Sequence, residues 1–379
     1  MANTLPPLYA SWMTQVLSGP LPEETKATCQ QCAMCPPAPG VAAPALASAF
    51  FNPQTKCCTY LPRLPNFLVG HILADNTSEL REGRASVEQR IQRRVAVTPL
   101  GLEKDTLFRL LYRAGNTATF GKSRTLRCPH YLEEGGRCGI WRYRESTCLT
   151  WFCKYERGAV GLRFWHTLRQ LLWTVEESLT RWCIQQLDLG TEALRLLLIP
   201  APQFADPPQL ESQDLDGTMD LTRYQMLWGT WAGREREFYR ACAALVTALT
   251  WQEIVALCGP ELTVLIRLTQ AAYHDLCSTA IPPVLQARPL KEVRRGLTTS
   301  QVVTYNGFDP LQLPTALLDI LPAFDGSPLE HVRQKIEAEA QIVLNETLIR
   351  KLVDFEVLGP SGADACALTP TKVAEEIPR

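Results

Sequence analysis

The chain has 379 residues, 46% hydrophobic and 20% charged, a composition that suits a folded globular protein of roughly two or three domains with a sizeable core. A formal net charge of -1 excludes the global positive field that non-specific nucleic-acid binding needs, so no nucleic-acid partner is expected. No Lys or Arg precedes Lys26, and the longest apolar runs, such as Leu194 to Pro202, are too short to span a bilayer; a cytoplasmic protein without export signal or membrane span is the expectation.

Along the chain, the first stretch is dominated by Pro6, Pro7, Pro20, Pro22, Pro36, Pro37, Pro39, Pro44 and Pro53, and regular structure is expected to be sparse over residues 1–60. A segment of that kind needs an external constraint to stay ordered, and metal ligation supplies one. Short helices are predicted at Ser86 to Arg94 and Asp105 to Arg113, followed by loops and a small hairpin within residues 121–153. From Gly158 the pattern changes. Leu168, Leu172, Val175, Leu179 and Trp182 recur at helical spacing and predict a long amphipathic helix to about Leu187.

Pro200 to Gly217 is proline-rich and acidic, and reads as a linker. Helices resume near Leu221, where Trp228, Trp231, Phe238, Cys242, Leu245 and Leu249 mark one apolar face, read as core. Thr250 and Glu253 are spaced as a capping box, Gly259 is a stop, and a further helix covers about Glu261 to Cys277. Gln301 to Tyr305 alternates weakly, like a short strand. Helices then fit Thr315–Leu321, Pro328–Glu339 and Asn345–Phe355, with Ser327 as an N-cap, Pro328 in the first turn and Glu330 completing the box.

The cysteines carry the chemistry. Fourteen in a chain of this length, without an export signal, point to metal binding rather than disulfides. Nine lie between residues 29 and 153: Cys29, Cys32, Cys35, Cys57, Cys58, Cys128, Cys138, Cys148 and Cys153. Cys183, Cys242, Cys258 and Cys277 sit in helical patterns, where a free Cys packs as a small hydrophobe, and Cys366 falls in the polar tail. The two-residue gaps of Cys29-Gln-Gln-Cys32-Ala-Met-Cys35 let thiolates converge on one ion, and all-thiolate sites suit Zn²⁺ or an iron–sulfur cluster. Arg137, Arg142 and Arg144 bring positive charge near the thiols; Arg142 and Arg144 read equally as a solvated loop face. Nine cysteines exceed one four-ligand site. Two such sites with one spare, or one site with a reactive pair, both fit, and adjacent Cys57 and Cys58 do not easily chelate one ion together. His130 is a candidate ligand, but reads better as a structural or surface histidine.

The block Cys128-Pro-His-Tyr, Gly-Gly-Arg-Cys138-Gly-Ile-Trp, Arg144-Glu-Ser-Thr-Cys148 and Trp-Phe-Cys153 resembles the YkgJ-type cysteine-cluster proteins, a family of zinc- or iron-chelating domains. Cys29, Cys32 and Cys35 resemble that family's opening, whereas its Cys-Cys pair stands displaced at Cys57-Cys58 by a Pro/Ala-rich insert. The resemblance covers roughly residues 25–160 and implies a metal centre. The family is functionally diverse and includes flagellin lysine N-methylase-like enzymes, so no reaction type is implied. Val302 to Leu358 resembles the PqqD-like winged-helix modules that bind precursor peptides, through Leu313-Pro314, Phe324-Asp325-Gly326 and Leu352-Val353 leading to Val357-Leu358. A helical domain that only packs on the rest is the competing reading.

Phosphate-binding loops, dinucleotide fingerprints, the His-Glu-x-x-His motif and the Gly-x-Ser-x-Gly elbow are absent from the sequence, as is the radical-type Cys-x-x-x-Cys-x-x-Cys spacing. No acid–base pair is assignable. The expectation is therefore a mainly α protein: an irregular Cys-rich metal- or cluster-binding domain over 1–157, a helical domain over 158–290, a small winged-helix-like module over 298–360 and a disordered tail over 361–379. Its expected cofactor is an iron–sulfur cluster, of the 4Fe-4S type, or zinc. The expected role is redox, or accessory to a protein- or peptide-modifying system. A lysine N-methylase-like transferase is the first alternative. The second is a peptide-binding module with a structural metal site, taking a protein or peptide substrate through the C-terminal module.

Overall fold

The computed structural model describes residues 5–26, 29, 32–35, 51–199 and 220–361; the linker expected at Pro200 to Gly217 and the tail beyond Ser361 lie outside these. The chain is mainly helical, as expected, with only small sheets. It forms two compact units, each drawing on separated stretches of sequence, whereas the composition divides it into consecutive ones. Among the described residues no single helix is long and apolar enough to cross a membrane.

The first unit takes residues 1–22, 28–151 and 168–269. It opens with a helix where little structure was expected, α1 (Pro7–Val16), because Pro7 falls in the first turn, where its missing N–H costs nothing. Tyr9, Trp12, Met13 and Val16 form its buried face. β1 (Leu64–Pro65) leads into α2 (Asn66–Ala74), a helix apolar on nearly every side and buried accordingly. The helix α3 (Arg81–Arg93) begins five residues before the expected Ser86. β2 (Val97–Thr98) and β3 (Gly101–Leu102) follow, then α4 (Thr106–Thr119). The three short strands form one antiparallel sheet in the order β1-β3-β2, with Leu64 and Val97 both opposite Leu102. The expected hairpin is β4 (Tyr131–Leu132) with β5 (Arg137–Cys138), and a one-turn helix α5 (Ser146–Thr150) follows.

The long helix is α6 (Gly158–Gln186), of which the part from Leu168 belongs to this unit. Leu168, Leu171, Leu172, Val175, Leu179 and Cys183 along it are fully buried. After it come α7 (Thr191–Leu198), α8 (Leu221–Trp228), α9 (Glu235–Thr247), α10 (Trp251–Cys258) and α11 (Pro260–Cys277). The single face expected from Trp228 to Leu249 is in fact split, because Gly229 and Gly233 take positive φ and break the helix between α8 and α9. Its residues still reach the core: Trp228, Phe238, Tyr239 and Cys242 are fully buried, with Trp228 edge-on to Phe238 at 5.5 Å. Thr250 and Glu253 do form a reciprocal capping box, and Gly259 does end α10 with φ +73°.

The second unit takes residues 23–27, 152–167 and 270 onward. Its strands are β6 (Val284–Ala287), β7 (Lys291–Arg294), β8 (Thr299–Val303) and β9 (Leu311–Pro314); then come α12 (Thr315–Ile320), β10 (Asp325–Pro328), α13 (Leu329–Ala340), α14 (Glu346–Asp354) and β11 (Leu358–Pro360). Two antiparallel sheets result, β7-β8-β9 and β10-β6-β11. The expected strand and all three expected helices are there. The Ser327 cap is not: the Ser327 amide is drawn to Asp325 Oδ1 at 2.9 Å, Pro328 ends β10, and α13 starts one residue later without a side-chain cap. Within this unit Asp354 receives a bidentate pair from Arg157 at 2.8 and 2.9 Å and a third contact from Arg350.

Candidate metal centre

Cys29, Cys32, Cys35, Cys57, Cys58, Cys128, Cys138 and Cys148 all fall in the first unit; Cys153 is assigned to the second, where its carbonyl accepts from Asn306 Nδ2 at 2.9 Å. The two cysteine blocks are tied by backbone. The Cys128 amide donates to the Cys58 carbonyl at 2.7 Å, the Tyr131 amide returns to the Cys128 carbonyl at 3.0 Å, and β4–β5 pairing sets Tyr131 opposite Cys138. Lys56 adds a second tie. Its backbone takes a positive φ of 49°, uncommon for a residue with a Cβ, and its ammonium donates to the carbonyls of Cys29 and Gly136. Gly136 itself has φ +55°, which glycine adopts without strain, and a Cβ there would stand 2.8 Å from Lys56 Nζ, so a larger residue would displace that ammonium.

The thiols interact with one another. Cys58 donates to the Cys57 sulfur, and Cys32 to that of Cys35. Charge on Cys57 bears on Cys29, Cys32, Cys58 and Cys128, and charge on Cys138 bears on Cys58 and Cys148. Burial dominates most of the set, pushing the Cys29 and Cys128 thiols up to about 11 and those of Cys32 and Cys138 up to about 12. Cys148 lies well above its usual range through burial and the neighbouring Glu145 carboxylate. Cys57 alone moves down, because Cys58 hydrogen-bonds its charged form and Arg144 and Lys56 add favourable charge, against the cost of burial.

Of the three arginines, Arg144 alone is buried. Its guanidinium stacks on the Trp141 ring at 3.5 Å and donates to the carbonyls of Trp141 at 3.2 Å and Cys148 at 3.0 Å. Arg142 and Arg137 face outward, 3.7 Å from Asp75 and Glu82. The even reading of Arg142 and Arg144 thus resolves differently for each. His130 is no surface residue: it is fully buried, with Nδ1 2.7 Å from Ser86 Oγ, and burial depresses it to about 3. Because Ser86 Oγ also donates to the Gly83 carbonyl at 2.6 Å, Nδ1 carries the imidazole proton. Cys183 and Cys242 are core residues as expected, whereas Cys277 is exposed.

A buried carboxyl pair, invisible in the sequence, lies beneath α5. Glu145 caps the helix, accepting from the amides of Thr147 at 2.6 Å and Cys148 at 2.8 Å. Glu176, on α6, accepts from Ser146 through both amide and hydroxyl at 2.7 Å and from Tyr9 Oη at 2.6 Å. Burial, with the charge of Glu145, raises Glu176 to about 8. The only sequence hint was the position of Glu145 next to Ser146 and Cys148; Tyr9 and Glu176 come from distant helices.

Among the described residues no three His, Cys, Asp or Glu side chains stand together closely enough to hold a metal ion as placed. The donor set nevertheless fits a thiolate-bound group in its chemistry, since eight thiols share one compact unit with the buried Arg144 guanidinium, which donates to the Cys148 carbonyl. Comparison with known proteins matched the chain to no family model, no curated protein and no solved structure.

Proposed function

We propose that this chain is a cysteine-cluster metal-binding protein, holding an iron–sulfur cluster or zinc, with a redox role or a role accessory to a protein- or peptide-modifying system. The observation that carries this reading is the gathering of eight of the nine clustered cysteines into one unit, tied across the Cys58–Cys128 backbone bond. Cys29, Cys32, Cys35, Cys57, Cys58, Cys128, Cys138 and Cys148 would be the ligand pool. A cluster supplies one-electron transfer when bound, and zinc supplies a rigid tie. Iron–sulfur is favoured because every member of this pool is a thiol. The test is metal analysis with a visible spectrum after anaerobic purification. Iron with acid-labile sulfide and a brown colour is expected in the wild type, with both metal content and melting temperature reduced in Cys138→Ser and Cys148→Ser. Variants with unchanged metal and melting would remove those residues from the ligand set. A protein with neither iron nor zinc would end the reading.

A second reading, peptide binding by the C-terminal module, is favoured by one feature. A cavity of about 430 Å³ lies between β9 and α14, lined by Leu311, Leu313, Leu317, Leu344, Leu348 and Leu352 beside exposed Lys351. Among the described residues β9 pairs only with β8, so its other edge offers backbone groups to an added strand. Selection of a displayed random-peptide library on the whole chain, counter-selected on Leu348→Asp, should enrich sequences of alternating apolar residues; no enrichment would remove this reading.

A further inference from the structure

We infer that Arg144 is the built-in counter-cation of the thiolate centre, a positioning residue that sets how tightly the cysteines hold metal; this rests on the metal-binding reading above. The argument starts from its placement. Arg144 is 6% exposed, in a loop between two short helical turns where an arginine would ordinarily extend into solvent. Three contacts fix its plane: the face of Trp141 at 3.5 Å and the carbonyls of Trp141 and Cys148. The Cys148 carbonyl belongs to a ligand candidate, so the same contact that holds the guanidinium also holds the backbone of α5. The groups whose charge, once they ionise, bears on it most are Cys138, Cys29, Cys148 and Cys57, drawn from both cysteine blocks. Its position is thus common to the two halves of the pool.

The chemistry follows from electrostatics. Four thiolates around a divalent ion carry a net charge of about −2, and burying that charge is unfavourable unless a cation shares the site. Lys56 also bears on Cys29 and Cys57, and its ammonium donates to the carbonyls of Cys29 and Gly136. The guanidinium is a planar, permanently charged group and keeps its charge when buried, which a lysine does less readily. Residues that support ligands from outside the first layer typically change metal affinity by about 10–100-fold when removed.

The experiment uses the full chain, stripped of metal and titrated anaerobically with Co²⁺, whose thiolate charge-transfer band reports sulfur ligation directly. Wild type, Arg144→Met and Arg144→Lys are compared, with the melting temperature of each recorded. The expected result is a band in all three, an affinity lower by about 10–100-fold in Arg144→Met, and an affinity for Arg144→Lys nearer to wild type than to Arg144→Met. Equal affinities for Arg144→Met and wild type would overturn the inference. So would a folded Arg144→Lys as weak as Arg144→Met, since shape and not charge would then matter. Should Arg144→Met fail to fold, Arg144→Lys decides alone: near-wild-type affinity supports the counter-cation, and a loss of about tenfold or more overturns it. A wild type that shows no sulfur-to-cobalt band overturns the inference before any variant is compared, whereas the metal-binding reading itself stands or falls on the iron, sulfide and zinc analysis above.

Discussion

Glu24 shows how a single carboxyl can write pH dependence into the second unit. It is almost fully buried and accepts from the Glu156 amide and from Trp165 Nε1, each at 2.7 Å. Burial raises it from 4.5 to about 7, more than those hydrogen bonds lower it. A carboxyl whose folded value is raised binds its proton more tightly in the folded chain. Its contribution to stability is therefore fully present below about 4.5 and is lost as pH rises through about 7. The same shift in Glu176, where a second buried carboxyl adds to the effect, acts in the same direction in the first unit. Glu24→Gln keeps an acceptor for Trp165 and cannot ionise. The melting temperature of the wild type should accordingly fall relative to Glu24→Gln as pH rises from about 4.5 past about 7. Thermal melts at matched ionic strength across that window check this, and a constant difference between the two proteins would mean that Glu24 does not titrate there.

At the scale of elements, α3 and the cysteine hairpin approach each other as closely as backbones permit. A Cβ on Gly83 would lie 2.0 Å from the Gly139 carbonyl oxygen, a backbone atom with no freedom to swing away. Gly139 follows Cys138 and donates to the His130 carbonyl at 2.7 Å, so any retreat of the hairpin moves Cys138 with it. Gly83→Ala should cost about 1–3 kcal/mol of stability and lower bound metal as well. Gly307→Ala, where an added Cβ meets nothing within 4 Å, is the matched control and should leave both unchanged. Denaturant melts with metal analysis decide it. Such contacts are what the sequence conceals. The long helix α6, the Thr250 capping box and the Gly259 stop were legible because helical period and cap chemistry are local. α2 was not, since a helix buried on nearly every side has no polar stripe to set its period. α1 was hidden by prolines that prove compatible with a first turn. Around the cysteines, the Glu145 cap is local to the chain, whereas the Tyr9 and Glu176 contacts and the bonds from Lys56 to the Cys29 and Gly136 carbonyls join residues far apart in sequence.

For the molecule as a whole, the proposed ligand pool lies in one compact unit and the apolar cavity beside β9 in the other. The segments that carry the cysteines contain little regular structure of their own: between α1 and α2 the only element described is β1, two residues long, and the hairpin β4–β5 is equally short. Short strands of that kind are marginal without support. When ligands from such segments meet on a metal, the binding free energy becomes folding free energy for those segments. Removing the proposed metal should therefore loosen the first unit selectively. Hydrogen exchange should accelerate at Lys56 to Tyr60 and across β4–β5. The amides of β8 and of α13 and α14, which depend on neither the cysteines nor their backbone ties, should keep their rates. Exchange mass spectrometry on the full chain before and after chelation reads this directly. Equal acceleration in both units would place the metal's stabilising effect elsewhere, and no change in either would mean that the backbone bond from Cys128 to Cys58 and the side-chain bond from Lys56 to Gly136 hold the cysteine blocks together unaided.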